Sequence, residues 1–503
     1  MDTLVALVKL LSKQKLKQIE IITEDVKLSS KTKLLYDGIL NGEFNDDDEA
    51  ARKIYDSNSK NSSYKKLKYR LTQRLLNTLF FIDIQSYSKS EYQKALNRSF
   101  KNWAAAKILQ DKGQNKVSIE LFEQILKTSI KYDIIELSLL ILKDLRLAYG
   151  LFIDNKYKFE KHSKKYTEIK HIYDLKDQAE YYYIYFGQLI SKSKAYDFDT
   201  HVQKHLEEVE VLRKSVEDID SFYLRYYTYN ASYFGYLVKK DLDMQILVAK
   251  RAINYFQEKE GFKKIGLFSF TQKIGISYLS KKNYIKAMEC FKYCMEFKLP
   301  EGSLPWMYVR SYFFQIHILR KDYNSAYSLI SDVTNNKSFT KINETYREPW
   351  YLKEAFIHFL IKIGKVNIED SDAQKLRPFR LARFMNEVST FSNDKRGLNI
   401  TINIIQMLFY IVDERFDDAL DKLSSLRQYN FRYLKRPEYA RSSNFIKMLL
   451  KIPEGDYEPA KIRAKAKKHY QALLDNPSDF SEHALSIEII PYEQLWEEIM
   501  SIF

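Results

Sequence analysis

TQKIGISYLSKKNYIKAMECFKYCMEFKLP, residues 271–300, reads as two helical stretches separated by a short break. In its second half Tyr284, Ala287, Phe291 and Cys294 recur at spacings of three and four, which places them on one helical face. Flanking segments repeat the arrangement. Pro305 opens PWMYVRSYFFQIHIL, Pro349 opens PWYLKEAFIHFLIKIG and Pro437 opens PEYARSSNFIKMLL. Proline at a first helical position loses no internal hydrogen bond and presets φ, so each predicts a helix start. The intervals are 44 residues and twice 44, so another start is expected near 393, where Asn393 and Asp394 supply caps. Counting back from 305 predicts starts near 261, 217, 173, 129 and 88. Gly261, Asp218 with Asp220, Asp174 with Asp177, Asp133, and Ser88 with Ser90 mark them. Second helices are expected at VSIELFEQILKTSI, YIKAMECFKYCMEF, NSAYSLISDV and FDDALDKLSSL. A single hairpin cannot bury both its faces; stacked hairpins make a continuous core.

Composition points the same way. The 503 residues include only 13 Gly and 9 Pro, too few turn formers for a sheet-rich chain. Two cysteines exclude a disulfide framework and fit a reducing, cytoplasmic compartment. The first 22 residues lack a signal-peptide pattern, with Lys9 interrupting the apolar run. No stretch reaches the ~18 apolar residues of a membrane span, so no membrane partner is expected. Net charge is +15, and the excess is uneven. From Arg427 to His469 twelve Lys and Arg face four Asp and Glu.

Segment 271–300 resembles a tetratricopeptide repeat. Gly275 and Tyr278 sit where that motif places the small and aromatic residues of its first helix. Tyr284, Ala287, Phe291 and Cys294 take the aromatic, small, large and small places of the second, and Pro300 closes the unit. Weaker echoes are Tyr323, Ala326 and Ile330; Phe416, Ala419 and Leu423; and Asn115, Ser118 and Phe122. The resemblance covers residues 88–475. It implies an all-α, right-handed superhelical α-solenoid and a binding role rather than a reaction. The helix-start spacing gives about nine hairpins with a period near 44, longer than the family's usual ~34, which implies longer helices or linkers.

Residues 1–86 do not share the repeat and are expected to form an N-terminal helical cap or small domain. Helices are predicted over 2–18, around KTKLLYDGIL, from NDDDEAARKIYD and through SSYKKLKYRLTQRLLNTLFFID. A DNA-binding helix-turn-helix competes for this region, but no tight glycine turn precedes a basic helix. The repeat array is assigned to 87–475 and a capping segment to 476–503. There Leu495, Trp496 and Ile499 share one helical side, and the helix either covers the last repeat or docks on a partner.

The chain carries no phosphate loop, dinucleotide fingerprint or nucleophile elbow, so no enzyme activity and no cofactor are expected. His201 and His205 share a helix face, but no third metal ligand is identifiable and no metal site is assigned. Cys290 and Cys294 read as packing residues. The basic stretches are better binding candidates. In KLRPFRLARF, Arg377, Arg380 and Arg383 recur every third residue and predict one ridge on a helix. In AKIRAKAKKHYQ, Lys461, Arg463, Lys465, Lys467 and Lys468 surround a helix that could steer an acidic partner. In RYYTYNASYFGY (225–236) the rings form two stripes for inter-helix packing, and Asn230 is expected to reach the concave surface.

Three functions follow as expectations. The leading one is a non-enzymatic scaffold or adaptor binding a protein or peptide, acidic in character, on the concave face. Nucleic-acid binding competes through the charge and the 39 Tyr, although the rings lie apart from the basic runs. A ligand-sensing regulator is the third. Oligomeric state is not legible.

Overall fold

The computed structural model describes residues 1, 4–5, 7–8, 30–80, 91–192, 200–259, 262–342, 344–368, 376–388, 398–435, 439–478 and 488–503. Every regular element among these residues is helical. The backbone divides into two compact units, Met1–His171 and Ile172–Phe503.

The first unit begins with α1 (Ser30–Leu40), α2 (Asp47–Tyr55) and α3 (Ser62–Leu79), which share a core of Leu35, Ile39, Ala51, Ile54, Leu67 and Leu71. Asp46 caps α2 by accepting from the Glu49 amide at 2.8 Å, the N-terminal signal expected from its run of acids. Residues 4–5 and 7–8 are helical, and the remainder of the helix predicted over 2–18 lies largely outside the described residues. There follow α4 (Glu91–Asp111), α5 (Asn115–Lys131) and α6 (Ile135–Leu147), each packed on its neighbour in sequence. Ser118 and Phe122 are buried on α5, and the Ser118 hydroxyl donates to the Ala106 carbonyl at 2.9 Å, which holds α4 and α5 close.

Helix α7 (Lys156–Lys192) carries the boundary between the units. The second unit continues with α8 (Thr200–Ser215), α9 (Phe222–Val238), α10 (Leu242–Gln257), α11 (Lys263–Ser280) and α12 (Tyr284–Glu296). Next come α13 (Leu304–Leu319), α14 (Tyr323–Thr334), α15 (Glu344–Lys362), α16 (Leu381–Glu387), α17 (Leu398–Val412) and α18 (Phe416–Tyr433). The chain closes with α19 (Ala440–Leu449), the single turn α20 (Lys451–Glu454), α21 (Pro459–Leu474) and α22 (Tyr492–Met500). From α8 to α15 each helix packs on the next in sequence.

One turn recurs at helix ends, at four of the five places leading straight into the next helix. Lys240, Lys282, Lys321, Gly364 and Glu414 all take positive φ, between 55° and 72°. At each, two amides close the preceding helix in the same way. Lys282 donates to the Leu279 carbonyl at 2.9 Å and Asn283 to the Tyr278 carbonyl at 2.9 Å, the paired bonds of a Schellman ending. The next residue then starts the following helix: Asp241, Asn283 and Asp322 accept from the amides of Met244, Lys286 and Ser325. A left-handed conformation costs a residue with a Cβ about 1–2 kcal/mol, part of which glycine returns through unfolded-chain entropy. Lys282→Gly is therefore expected to raise stability by about 0.5–1 kcal/mol in urea unfolding. A net loss would contradict the turn geometry.

The packing follows the sequence stripes. On α11, a Cβ at Gly275 would lie 2.9 Å from the Phe291 ring, so the small residue permits the approach of α12. Ala287, Phe291 and Cys294 are fully buried, as are Ala326 and Ile330, with Ala419 and Leu423 nearly so. Burial, and then the neighbouring Cys290, push the Cys294 thiol up to about 12. On α9, Phe222, Tyr226 and Tyr229 pack on Phe256 of α10, and Tyr226 and Tyr229 also on Phe270 of α11. The second stripe, Tyr227 and Phe234, meets Tyr183 of α7 at 5.7 and 5.1 Å between ring centres.

Three expectations are corrected. Helices α9, α11, α13 and α15 start at steps of 41, 41 and 40 residues, shorter than the 44 measured between prolines. The proline markers misled because Pro305 is the second residue of α13, whereas Pro349 is the sixth of α15, with a turn of helix ahead of it. No helix starts near 173: Asp174 and Asp177 lie inside the 37-residue α7, which contains no proline and no glycine before Gly187. Arg377 and Arg380 are not on a helix, since Pro378 fixes φ, lacks an N–H and keeps the residue before it extended. The markers Gly261, Asn393, Asp394, Pro437, Ser88 and Ser90 lie outside the described residues.

The last helix does more than cover its neighbours. Leu495, Trp496 and Ile499 are at most 1% exposed. Helix α22 packs on α19 and α21, and its polar side chains reach far back along the chain. Gln494 donates to the Ile318 carbonyl at 2.8 Å, and the Tyr323 hydroxyl donates to Glu498 at 2.7 Å. Arg441 on α19 forks onto Glu488 at 2.6 and 2.9 Å and also reaches Glu493. Its guanidinium is held above its ordinary range by these carboxylates despite burial. Among the described residues no helix is long and apolar enough to cross a membrane.

Candidate functional site

The hairpin of α18 and α19 encloses a cleft of about 570 Å³. Its apolar floor is Leu434, Ala440 and Leu450; Arg427, Lys435 and Lys447 supply its charge, and no carboxylate lines it among the described residues. The helical spacing of α18 puts Arg427, Asn430, Phe431 and Leu434 on one side, at intervals of three, one and three. Residues Ser443, Asn444 and Lys447 come from α19, three and four apart. Buried Asn430 bridges the helices, its Nδ2 donating to the Ser443 carbonyl at 3.5 Å.

None of Arg427, Lys435 and Lys447 forms an ion pair with a carboxylate among the described residues. Lys435 instead lies 4.0 Å over the ring of Phe431, which is 69% exposed. The excess positive potential is registered by His469 on α21, whose Nδ1 is 3.1 Å from Asn444 Oδ1. Burial and then the ammonium groups of Lys447, Lys451 and Lys468 hold that imidazole below its ordinary value. The cleft thus combines uncompensated cations, an exposed ring and an apolar floor. An anionic group with apolar neighbours fits that chemistry; a neutral polar ligand would leave the cations unanswered.

The residues singled out by sequence are distributed differently. Arg463 forks onto Glu497 of α22 at 2.9 and 2.7 Å, Lys461 pairs with Glu458 at 2.8 Å, and Lys465 donates to the Glu454 carbonyl. These three tie α21 to its own surroundings. Lys467 and Lys468 are exposed, and Lys468 adds to the field at His469. Arg377 lies in extended chain and reaches buried Glu354 of α15 at 3.1 Å; Arg380 precedes α16 and only Arg383 is on it. A common ridge is therefore absent. Asn230 is 2% exposed and donates to the Tyr226 carbonyl at 2.7 Å, so it does not reach a surface: α9 is covered by α8, α10 and α7 around its aromatic stripes.

Sequence reasoning had located the charge excess but not the three residues that focus it. Arg427, Lys435 and Lys447 are spread over 21 positions and converge only when α18 folds back on α19. His205 pairs with Glu208 at 2.9 Å and packs against Tyr185, and no group of three metal-ligating side chains occurs among the described residues. The chain matches no protein-family model, and neither a curated protein nor a solved structure is significantly similar to it.

Proposed function

We propose that the chain is a non-enzymatic scaffold of the reducing cytoplasm, a tetratricopeptide-like right-handed α-solenoid, whose basic cleft between α18 and α19 docks an acidic segment of a partner protein. The observation that carries this reading is a set of three cations with no carboxylate partner among the described residues, above an apolar floor. The recurrent Schellman turn and the 40–41-residue steps of α9, α11, α13 and α15 support the repeat architecture. Free, buried Cys294 fits a compartment where thiols stay reduced.

Exposed Phe431 beside Lys435 favours a second reading, single-stranded nucleic acid stacked on the ring and paired through phosphate. The apolar floor argues for protein, because a phosphodiester backbone has no use for Leu434 and Leu450. Affinity capture from the native cell with and without nuclease separates the two. The scaffold reading expects the same protein partner, acidic in composition, in both samples. Loss of every partner after nuclease treatment would replace it with the nucleic-acid reading.

A further inference from the structure

In the first unit, α6 ends in a π turn, Ala148–Phe152, before the chain re-enters helix at α7. Such turns widen the helix and turn side chains away from the regular 3.6-residue register. Here they turn apolar residues outward. Leu147, Leu151 and Phe159 are 45%, 74% and 38% exposed and line a cleft of about 560 Å³. Phe152 and Tyr157, 61% and 75% exposed, extend the apolar surface beside it. Side chains this large are left in water singly on most proteins; contiguous ones mark an interaction surface.

The turn is held from beneath. Tyr149 is buried, its hydroxyl donates to Glu123 at 3.0 Å, and its ring stacks on His162 at 5.5 Å. Lys158 donates to the same hydroxyl at 2.9 Å. Gly150 lets Phe159, the residue that forms the far wall, come close: a Cβ there would stand 3.1 Å from its ring. The exposed residues therefore stand on a fixed base.

The rim is cationic. Lys143, Arg146 and Lys156 line the cleft against a single acid, Asp154. Arg146 lies 4.7 Å over the Tyr166 ring, and its Nε is buried without a hydrogen-bond partner. The Arg146 guanidinium lines the cleft, and its planar fork suits a carboxylate there. A second copy of this chain is a poor occupant, since two chains of charge +15 repel.

We propose that this cleft is a second docking surface, separate from the basic cleft between α18 and α19, and that it takes an amphipathic helix of a partner protein with apolar residues on one face and Asp or Glu flanking them. Apolar residues at i, i+3 and i+4 would fill the space between Leu151 and Phe159, with carboxylates reaching Lys143, Arg146 and Lys156. With two such clefts, the chain could hold two segments at once.

The test uses the full chain and a fluorescein-labelled, stapled amphipathic peptide bearing leucines at those positions and flanking glutamates. A companion peptide carries lysines in place of the glutamates. The wild-type chain is expected to bind the acidic peptide at micromolar Kd and the basic one at least tenfold more weakly. Leu151→Asp, on a residue 74% exposed, is expected to weaken binding at least tenfold, and Lys156→Glu about fivefold. Circular dichroism melts of both variants should match the wild type. Equal binding of both peptides, or unchanged affinity in Leu151→Asp, would overturn the proposal. So would a wild-type dimer in sedimentation equilibrium that Leu151→Asp dissociates, because a second copy would then be the occupant.

Discussion

Trp496→Ala is expected to lower the free energy of unfolding by about 3–5 kcal/mol, the usual cost of emptying a buried aromatic site. The side chain is 1% exposed and belongs to the same core as Phe445, Ile446 and Trp350. Its helix also makes, among the described residues, the side-chain hydrogen bonds of greatest sequence separation: Gln494 and Glu498 bond to Ile318 and Tyr323, more than 170 positions earlier. Helix α22 can hold those bonds only while its apolar side stays seated. Loss of the indole therefore loosens α19 and α21 together with the turn between α13 and α14. Urea unfolding followed by circular dichroism measures the effect, with Phe431→Ala as control. Phe431 is 69% exposed, so its truncation should change stability by no more than about 0.5 kcal/mol. A cost below about 1 kcal/mol for Trp496→Ala would mean that α22 is peripheral to the fold.

Reversing Arg427, Lys435 and Lys447 together to glutamate is expected to weaken an acidic partner about 100-fold, which corresponds to about 2.8 kcal/mol. Each substitution removes an attraction and adds a repulsion, and like charges brought together at an interface cost more than the loss of one pair. The fold should tolerate the change, since all three residues are exposed and none is tied to a carboxylate among the described residues. The field at His469 should fall as well. With Lys447 reversed, one of the cations that depress its imidazole becomes an anion, so the proton is held to higher pH. An upward shift of the His469 resonance midpoint would report the change independently of any ligand.

The parts of this chain that were legible are those where spacing along one helix decides the outcome. Ala287, Phe291 and Cys294 recur at helical intervals, and their burial follows from that pattern alone. The caps at Asp46 and the aromatic stripes of α9 were readable for the same reason. What was missed depended on competing local signals or on distant partners. Asp174 and Asp177 resemble caps, but a cap acts only where the preceding backbone leaves the helix, and nothing before Asp174 forces it to. Five helix endings share a left-handed residue, yet three of those residues are lysines and one a glutamate, where sequence rules look for glycine. Arg463 read as a free cation because Glu497, its partner, lies 34 positions later on another helix. The cleft is illegible for the mirror reason: its cations matter because no acid among the described residues pairs with them, a fact of tertiary structure.

Fluorescence anisotropy of a labelled peptide of alternating glutamate and leucine, titrated beside a single-stranded RNA oligonucleotide, tests the central claim most directly. The Leu151→Asp chain, whose second cleft is silenced, and the same chain with the triple glutamate reversal are compared at 50 and 200 mM salt. The account predicts peptide binding that the variant weakens about 100-fold, and RNA binding that is weaker at both salt concentrations. Peptide affinity that survives the triple reversal would contradict it, as would tighter RNA binding falling steeply between 50 and 200 mM salt and abolished in the variant.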